Sequence, residues 1–343
     1  MTDGTVMNDT IFILRFSALG DVAMTIPPVY AVARANPGCQ FVYFTKAGFS
    51  GLFVDAPSNL EVIGLDDIGP LHVYRTLRKE TRLHKPALIA DLHNVSRTWP
   101  TDLYAMLHGI RVGCVNKRRL FRHSALKRKS GQRNFIDRYL DVFTKSGLET
   151  SRAIMDTLPP MASPPFPIRQ PAVGIAPFAR FHTKTYPLDK MEEVIASLTK
   201  NNVNVYLFGA GGKEQNQLDE WSHKYPCCHS MAGRYSLPKE MSVMQSLPLI
   251  LSMDSANQHI ASLVGTKVIT IWGATAPLCG FAPFRQSPAN SIVARIPCQP
   301  CSIAGSRLCP EGHFDCMHSI EPNHIVDKIL HELSLVNNTE ARQ

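Results

Sequence analysis

The sequence predicts an α/β protein made of two doubly wound domains. Three observations predict it. Short branched apolar runs alternate with helical patterns, a proline-rich break interrupts them near the middle, and the same alternation starts again afterwards. The chain has 343 residues, a length suited to two domains at roughly 100–200 residues each. Its composition, 44% hydrophobic and 19% charged, is that of a folded globular protein and excludes a largely disordered chain.

Thr10 to Phe16 (TIFILRF) reads as a buried parallel strand. Ser17-Ala18-Leu19-Gly20-Asp21 follows as a tight loop. A helix is expected from about Val22, or from the Pro27-Pro28 pair, to Ala35, with Asn36-Pro37-Gly38 stopping it. Phe41 to Phe44 completes a βαβ unit, whose crossover is right-handed. Leu60 to Leu65 and Ala87 to Asp91 read as strands, Thr98 to His108 as a helix, and Arg111-Val112-Gly113 as a strand start. Asn134 to Ser146 is amphipathic, with Phe135, Ile136, Tyr139, Leu140 and Phe143 at helical spacing.

Leu158 to Pro171 contains Pro159, Pro160, Pro164, Pro165, Pro167 and Pro171, so it joins neither a helix nor a central strand. It reads as a semi-rigid linker over 158–171, which sets the domains at 1–157 and 172–343. In the second half, Ala172 to Ala176, Val203 to Phe208, Pro248 to Ser252 and Val268 to Trp272 read as strands. Asp189 to Asn201 and Ala256 to Val264 read as helices between them. Two such sheets are expected to face a central cleft with their carboxyl strand ends, the edge at which open α/β sheets bind ligands.

Four post-strand loops carry the candidate chemistry. In the first, Gly20 permits close backbone approach beside Ser17, and Asp21 is either a helix cap or a general base for an attacking hydroxyl. The second, Pro177 to Tyr186, offers Arg180, Thr183 and Lys184 to a phosphate, or is a basic surface turn; it is not a Walker A loop. The third, Gly209-Ala210-Gly211-Gly212, is a phosphate or ribose approach site or simply a tight turn, and its spacing is not GxGxxG. In the fourth, Asp254 and Ser255 are placed to cap the helix that begins at Ala256, leaving its N-terminus open to an anion, with His259 one turn in. His93, Asn94 and Arg97 follow the Leu88 to Leu92 run and are positioned to meet an acceptor.

Three stretches together resemble the ADP-heptose:lipopolysaccharide heptosyltransferases, glycosyltransferase family 9. They are ILRFSALGDVAMTIPPVYAV from Ile13, VGIAPFARFHTKTYPLDKMEEVI from Val173, and LILSMDSANQHIASLVGTKVITIWGATAP from Leu249. The resemblance implies a GT-B fold, with the acceptor on the N-terminal domain and the nucleotide sugar on the C-terminal one. It implies an inverting transfer that needs no cofactor, with Asp21 as base and Thr183 and Lys184 on the donor diphosphate. Asp254, Ser255, Ala256 and His259 would line the donor site, Met231 would lie near the adenine, and Gly273-Ala274-Thr275 would close the donor loop. The usual pattern has Gly where Ala256 stands and a small or apolar pair where Asn257-Gln258 stands, so the donor sugar stays open.

The implied partners are an ADP-sugar and a phosphorylated lipopolysaccharide core. The net charge is +8, and Lys117, Arg118, Arg119, Arg122, Lys127, Arg128, Lys129 and Arg133 precede the first acid at Asp137. That basic segment is either a solvated face or the surface that meets the acceptor and anionic lipid. A cytoplasmic chain with peripheral contact at the inner membrane is expected, since no run spans a bilayer and no secretory leader precedes Thr10. Cys298, Cys301, Cys309 and Cys316 form a C-x2-C-x7-C-x6-C cluster in the segment 298–316. They are either free or reversibly oxidised thiols or a closed structural site for zinc or iron, as in the related protein O-heptosyltransferases. Two other functions stay in view: a transferase using another nucleotide sugar or a protein acceptor, and a non-catalytic nucleotide- or nucleic-acid-binding protein. No nucleic-acid motif supports the last, so no nucleic-acid partner is expected.

Overall fold

The computed structural model describes residues 9–117, 131–305 and 308–340. By contacts, the described chain divides into two compact units, one holding 9–117 and 134–158, the other 131–133 and 159–340.

The first unit runs β1 (Thr10–Leu14), α1 (Leu19–Ala35), β2 (Gln40–Lys46), β3 (Leu60–Leu65), α2 (Pro70–His84), β4 (Leu88–Asp91), α3 (Trp99–Leu107), β5 (Arg111–Cys114) and α4 (Phe135–Lys145). Among the described residues its strands form one parallel sheet of order β3-β2-β1-β4-β5. Strand alternation sends Phe12, Leu14, Val42, Phe44 and Ile89 to one face, where Val73 and Leu77 of α2 and Ala105 of α3 cover them. On α4, Asn134 caps the first turn by accepting from the Ile136 amide at 2.9 Å.

Helix α1 corrects the expected start. It begins at Leu19, and Pro27 and Pro28 lie in its interior. An interior proline costs on the order of 3 kcal/mol in lost backbone bonding. Here every residue from Val22 to Ala33 is buried, so apolar packing offsets that loss.

The second unit runs β6 (Ala172–Ala176), α5 (Leu188–Lys200), β7 (Asn204–Leu207), α6 (Lys213–Lys224), β8 (Cys228–Ser230), α7 (Leu237–Gln245), β9 (Leu249–Met253), α8 (Ala256–Leu263), β10 (Lys267–Trp272), β11 (Ser291–Val293), α9 (Asp315–His318) and α10 (Pro322–Glu340). Its described strands are parallel, in the order β11-β10-β9-β6-β7-β8. One face packs Val173, Ile175, Leu207, Leu251 and Ile271 against α5, α6 and α10. The proline-rich segment packs onto this unit. The Phe166 ring stacks on Tyr206 with centroids 5.9 Å apart, and the Met161 amide donates to Gln245 Oε1 at 2.6 Å.

Gly174 sits in the middle of this sheet because its neighbours leave no room for a side chain. A Cβ there would stand 2.7 Å from Ile250 Cγ1 and 3.0 Å from both Leu247 Cδ1 and Phe208 Cε2. Gly174→Ala is expected to destabilise the chain by about 1–3 kcal/mol through overpacking, read as a lower urea midpoint. An unchanged midpoint would contradict this packing.

Candidate functional site

Each sheet reverses its strand order once, between β1 and β4 in the first unit and between β6 and β9 in the second. Loops leaving adjacent strands in opposite directions open a crevice at that point. The candidate residues concentrate on those loops.

In the first unit, Asp21 is the third residue of α1 and its side chain is 28% exposed. Its Oδ2 accepts from the Ala18 amide at 3.3 Å, so the capping role is present. The same oxygen stands 2.7 Å from Arg15 Nη2. Arg15 is 4% exposed, and its Nη1 donates to the Leu92 carbonyl at 2.8 Å. One guanidinium therefore ties the post-β1 loop to the post-β4 loop. Burial works against the Arg15 charge, but Asp21 and the flanking tyrosines outweigh it and raise its pKa. Arg15 was absent from the sequence expectations, although a charge inside the apolar run TIFILRF marked it.

The post-β4 loop is organised by Asp91. Its Oδ1 accepts from the amides of His93 and Asn94 at 2.8 and 2.7 Å, and its Oδ2 accepts from the Thr98 hydroxyl at 2.6 Å. His93 is 6% exposed, and its Nδ1 is buried without a hydrogen-bond partner among the described residues. Burial, then the cations Arg15, Lys117 and Arg97, push its pKa down to about 2, so the ring stays neutral. Asn94 reaches the Val115 carbonyl at 3.0 Å and accepts from Trp99 Nε1 at 3.3 Å. Arg97 keeps Nε and Nη1 buried with no partner among the described residues. Buried guanidinium nitrogens are costly to leave unpaired, which makes Arg97 the group here most in need of an anion. Arg118, Arg119 and Arg122 lie outside the described residues, and Ser17 and Gly20 border the Asp21 loop.

In the second unit the hub is another aspartate. Asp254 follows β9 and is 3% exposed. Its Oδ2 meets Lys184 Nζ at 2.8 Å and accepts from the Thr275 hydroxyl at 2.7 Å, while Oδ1 accepts from Gln258 Nε2 at 2.9 Å. The expected helix cap is corrected here. Ser255 makes no side-chain cap bond to α8, and the Asp254 carboxylate is committed to Lys184, Thr275 and Gln258. Competition from an ammonium explains the difference, since a charge-assisted bond is stronger than an ordinary cap.

Thr183 and Lys184 lie in a 3-10 turn, His182–Lys184, after β6. The Thr183 hydroxyl donates to the Gly305 carbonyl, and the Thr183 carbonyl accepts from the Ala274 amide at 2.9 Å. A Cβ on Gly273 would collide with the Thr183 carbonyl oxygen, so glycine allows the two turns to close on each other. The segment 299–305 straps this arrangement down. Gln299 Nε2 donates to the Trp272 and Gly273 carbonyls at 2.9 and 2.7 Å, and the Cys301 and Ser302 amides donate to the Ala274 carbonyl at 3.1 and 3.0 Å. Gly305, with φ of +75°, lies against the Lys184 side chain. Sequence reading missed Gln299, Ser302 and Gly305 because their partners lie far away in the chain.

Other named residues are spread more widely. His259 is buried in α8 with its Nε2 3.4 Å from Gln258 Nε2, and Ala256 opens that helix. Arg180 is exposed and lies over the Phe181 ring at 5.4 Å. Met231 lines a cavity of about 530 Å³ with Phe166, Tyr206, His229, Arg234 and Tyr235.

The four C-terminal cysteines lie near enough to influence one another, but no three of their sulfurs come within 4.8 Å of one another. Burial, then Cys301, Cys298 and Cys309, push the Cys316 thiol up to about 12, and Cys298 Sγ stands 3.9 Å from His313 Nε2. A second group is tighter. Asp91, Asp102 and Cys114 bring ligand atoms within 4.8 Å of one another. Burial and the adjoining Asp91 push the Asp102 carboxyl up to about 8. The folded chain thus holds this proton more tightly than the unfolded chain does. The associated stability is complete below about 3.8 and is lost as pH rises through about 8. Asp102→Asn keeps the shape and the donor, so it is expected to stabilise the chain near pH 9 and change little near pH 4. Thermal unfolding across that range checks this, and a parallel shift at every pH would refute it.

A family model described as glycosyltransferase family 9 (heptosyltransferase) matches residues 103–310. Lipooligosaccharide heptosyltransferase 2 of Campylobacter jejuni is 21% identical over 329 residues, covering 93% of this chain and 98% of that protein. The structure of E. coli heptosyltransferase WaaC with ADP aligns with a TM-score of 0.63 at 16% identity, covering 94% of this chain and 99% of that one. The iron-containing dodecameric glycosyltransferase TibC of enterotoxigenic E. coli aligns with a TM-score of 0.62 at 14% identity, covering 96% of this chain and 77% of that one. TibC is also known in complex with ADP-D-β-D-heptose.

Proposed function

From the premise that the chain belongs to glycosyltransferase family 9, we propose that it transfers a heptose from ADP-heptose to the inner core of a lipopolysaccharide. The chain is a glycosyltransferase with a GT-B fold. The observation that carries the finer reading is the Lys184–Asp254–Thr275 cluster at the β6/β9 crevice, inside the family-matched segment. An ammonium held in place there suits a diphosphate. The Campylobacter relative is named for lipooligosaccharide, and WaaC and TibC are seen with ADP and ADP-heptose, which supports the donor and acceptor classes.

In this reading the acceptor hydroxyl attacks the anomeric carbon of the heptose from the side opposite the diphosphate. The new C–O bond forms as the bond to the β-phosphate oxygen breaks, and the configuration inverts. Asp21 takes the hydroxyl proton, and Arg15 fixes the carboxylate that receives it. Lys184 and the free N–H groups of α8 stabilise the charge that develops on departing ADP, which is the task a metal performs elsewhere. Thr183, Ser255, Ala256, His259, Gly273 and Thr275 shape the donor site, with Arg180 and Met231 at its margin. Arg97, with Lys117, His93 and Asn94, receives an anionic group of the acceptor beside the Asp21 loop. Residues 9–157 carry the acceptor and 172–340 the donor. Action at the cytoplasmic face of the inner membrane follows from the donor and acceptor classes.

Turnover of ADP-heptose with a deacylated core acceptor tests this. Asp21→Asn retains an acceptor oxygen for Arg15 but cannot take a proton. It is expected to lower kcat by about 10²–10⁴-fold while ADP affinity, measured by calorimetry, stays close to that of the parent. Full turnover by Asp21→Asn would remove the base assignment, and failure of the parent to bind ADP would remove the donor assignment.

Cys298, Cys301, Cys309 and Cys316 are of the residue type that takes zinc or iron, although no three of their sulfurs lie within 4.8 Å of one another, so binding an ion would have to draw them together. Burial first, and then the neighbouring cysteines, raise the Cys316 and Cys301 thiols, and a bound cation would offset both by stabilising the thiolates. Such an ion would hold the strap at Cys301 and Ser302 against the Gly273–Thr275 turn, a structural task outside the transfer itself. Elemental analysis of purified protein is expected to give close to one zinc or iron per chain, lost in Cys301→Ser. Metal-free protein with four freely titrating thiols would overturn it.

A further inference from the structure

Helix α3 is built inside out. Its sequence is WPTDLYAML, and the residues it buries are Thr101, Asp102 and Ala105. The large residues it exposes are apolar: Trp99 at 51%, Leu103 at 57%, Met106 at 57% and Leu107 at 75%. Positions 99, 103, 106 and 107 share one helical face. A helix facing water does the reverse, so this stripe marks an interaction surface.

Helix α2 lies beside it. It turns Val73, Leu77 and Thr81 inward. Arg75, Arg78 and Arg82 are exposed, and their spacing of three and four residues puts them on one face, with Leu71 at its N-terminal end and Lys79 and Lys85 alongside. The two helices are joined where Tyr74 meets the Tyr104 ring edge-on at 6.2 Å and Arg78 lies 5.8 Å over the same ring. The acid of α2, Glu80, faces His84 at 3.4 Å. An apolar ridge thus runs beside a cationic one. Lipid-facing charge was expected on the basic segment from Lys117 to Arg133, of which residues 118–130 lie outside the described residues.

We propose that the α2–α3 face of the first unit docks on an anionic lipid bilayer. Trp99, Leu103, Met106 and Leu107 enter the interfacial layer, and Arg75, Arg78 and Arg82 meet the lipid phosphates. A membrane fits this face better than a second copy of the chain, because self-pairing brings two cationic ridges together, whereas anionic headgroups neutralise them. The inference rests on the proposed lipid-borne acceptor. Helix α3 begins directly after the loop bearing His93, Asn94 and Arg97, and Trp99 Nε1 is bonded to Asn94. Docking through α3 brings that loop to headgroup depth, where a lipid-anchored saccharide presents its first sugars.

The test uses the full chain with phosphatidylglycerol–phosphatidylethanolamine vesicles, and with phosphatidylcholine vesicles for comparison. Trp221 and Trp272 are 1% and 0% exposed, so a change in tryptophan emission reports Trp99. The expected result is a blue shift, quenching by brominated lipid and co-sedimentation with anionic vesicles, all weakened by salt. Leu103→Ser/Leu107→Ser is expected to lower vesicle partition at least about tenfold while leaving thermal stability and turnover of the soluble deacylated acceptor unchanged. Arg75→Glu/Arg82→Glu is expected to abolish the preference for anionic lipid. Absence of partition by the parent, equal partition by the leucine variant, or Trp99 shielding that rises with protein concentration without vesicles would overturn the proposal. Loss of soluble-acceptor turnover in the parent with vesicle binding intact would instead sink the transferase reading and leave the docking in place.

Discussion

The reversal of strand order between neighbouring parallel strands is the constraint on which the rest depends. Parallel strands need crossovers, and right-handed crossovers carry the chain to one side or the other of its starting strand. Where the direction changes, two adjacent loops part and the carboxyl edge is left uncovered. In the first unit this happens between β1 and β4, which puts Arg15 and Asp21 beside the loop of His93 and Arg97. In the second it happens between β6 and β9, which puts Lys184 beside Asp254. Neither pairing depends on loop sequence alone, since the sheet brings the loops together first and the side chains then lock them.

The locks are alike. At each crevice a buried aspartate at or just after the end of the later strand spends both oxygens on internal partners. Asp91 holds two amides and a hydroxyl, and Asp254 holds an ammonium, a hydroxyl and an amide side chain. A carboxylate so fully engaged organises its neighbours more than it meets a ligand. The cations they position carry the binding potential. Lys184 keeps ammonium protons beyond its bond to Asp254, and Arg97 has two nitrogens without partners among the described residues. Two preset crevices of positive charge suit anionic ligands, because the charge is fixed before they arrive.

Much of this was legible in the sequence, but unevenly. Strands β1, β3, β6 and β10 were readable to within about two residues at either end, because branched apolar runs bounded by Gly, Pro or Asp leave few alternatives. Helix α1 was legible as a helix but not in its start, because Pro27 and Pro28 signal a first turn, and only burial along the whole helix permits them inside. Helices α2, α7 and α10 went unread, being mixed in polarity without a sharp cap. At the sites, residues on post-strand loops were nameable one by one, and their partners were not. The bond from Arg15 to the Leu92 carbonyl spans 77 residues, and that from Thr183 to the Gly305 carbonyl spans 122. No local pattern encodes such a pairing. Asp254 shows the consequence: local rules make it a cap, and a lysine 70 positions earlier in the chain makes it an ion-pair hub.

Helix α3 joins these threads. Its inward face carries Thr101 and Asp102, where an apolar helix would bring leucines, and the Asp102 carboxyl lies beside Asp91. Burying a carboxyl there is tolerable because it stays protonated beside Asp91, and losing that proton costs stability as pH rises. With two polar residues on its inward face, α3 contributes little of its apolar content to the core beyond Ala105. Its leucines, methionine and tryptophan lie on the outside. Four exposed large apolar side chains on a nine-residue helix oppose solubility and fold stability alike, so no structural demand of the unit explains them. The proposed lipid surface accounts for the outer face. Under the proposed docking, the same short helix would carry the adjoining loop of His93 and Arg97 to the layer in which a lipid-anchored acceptor would reside.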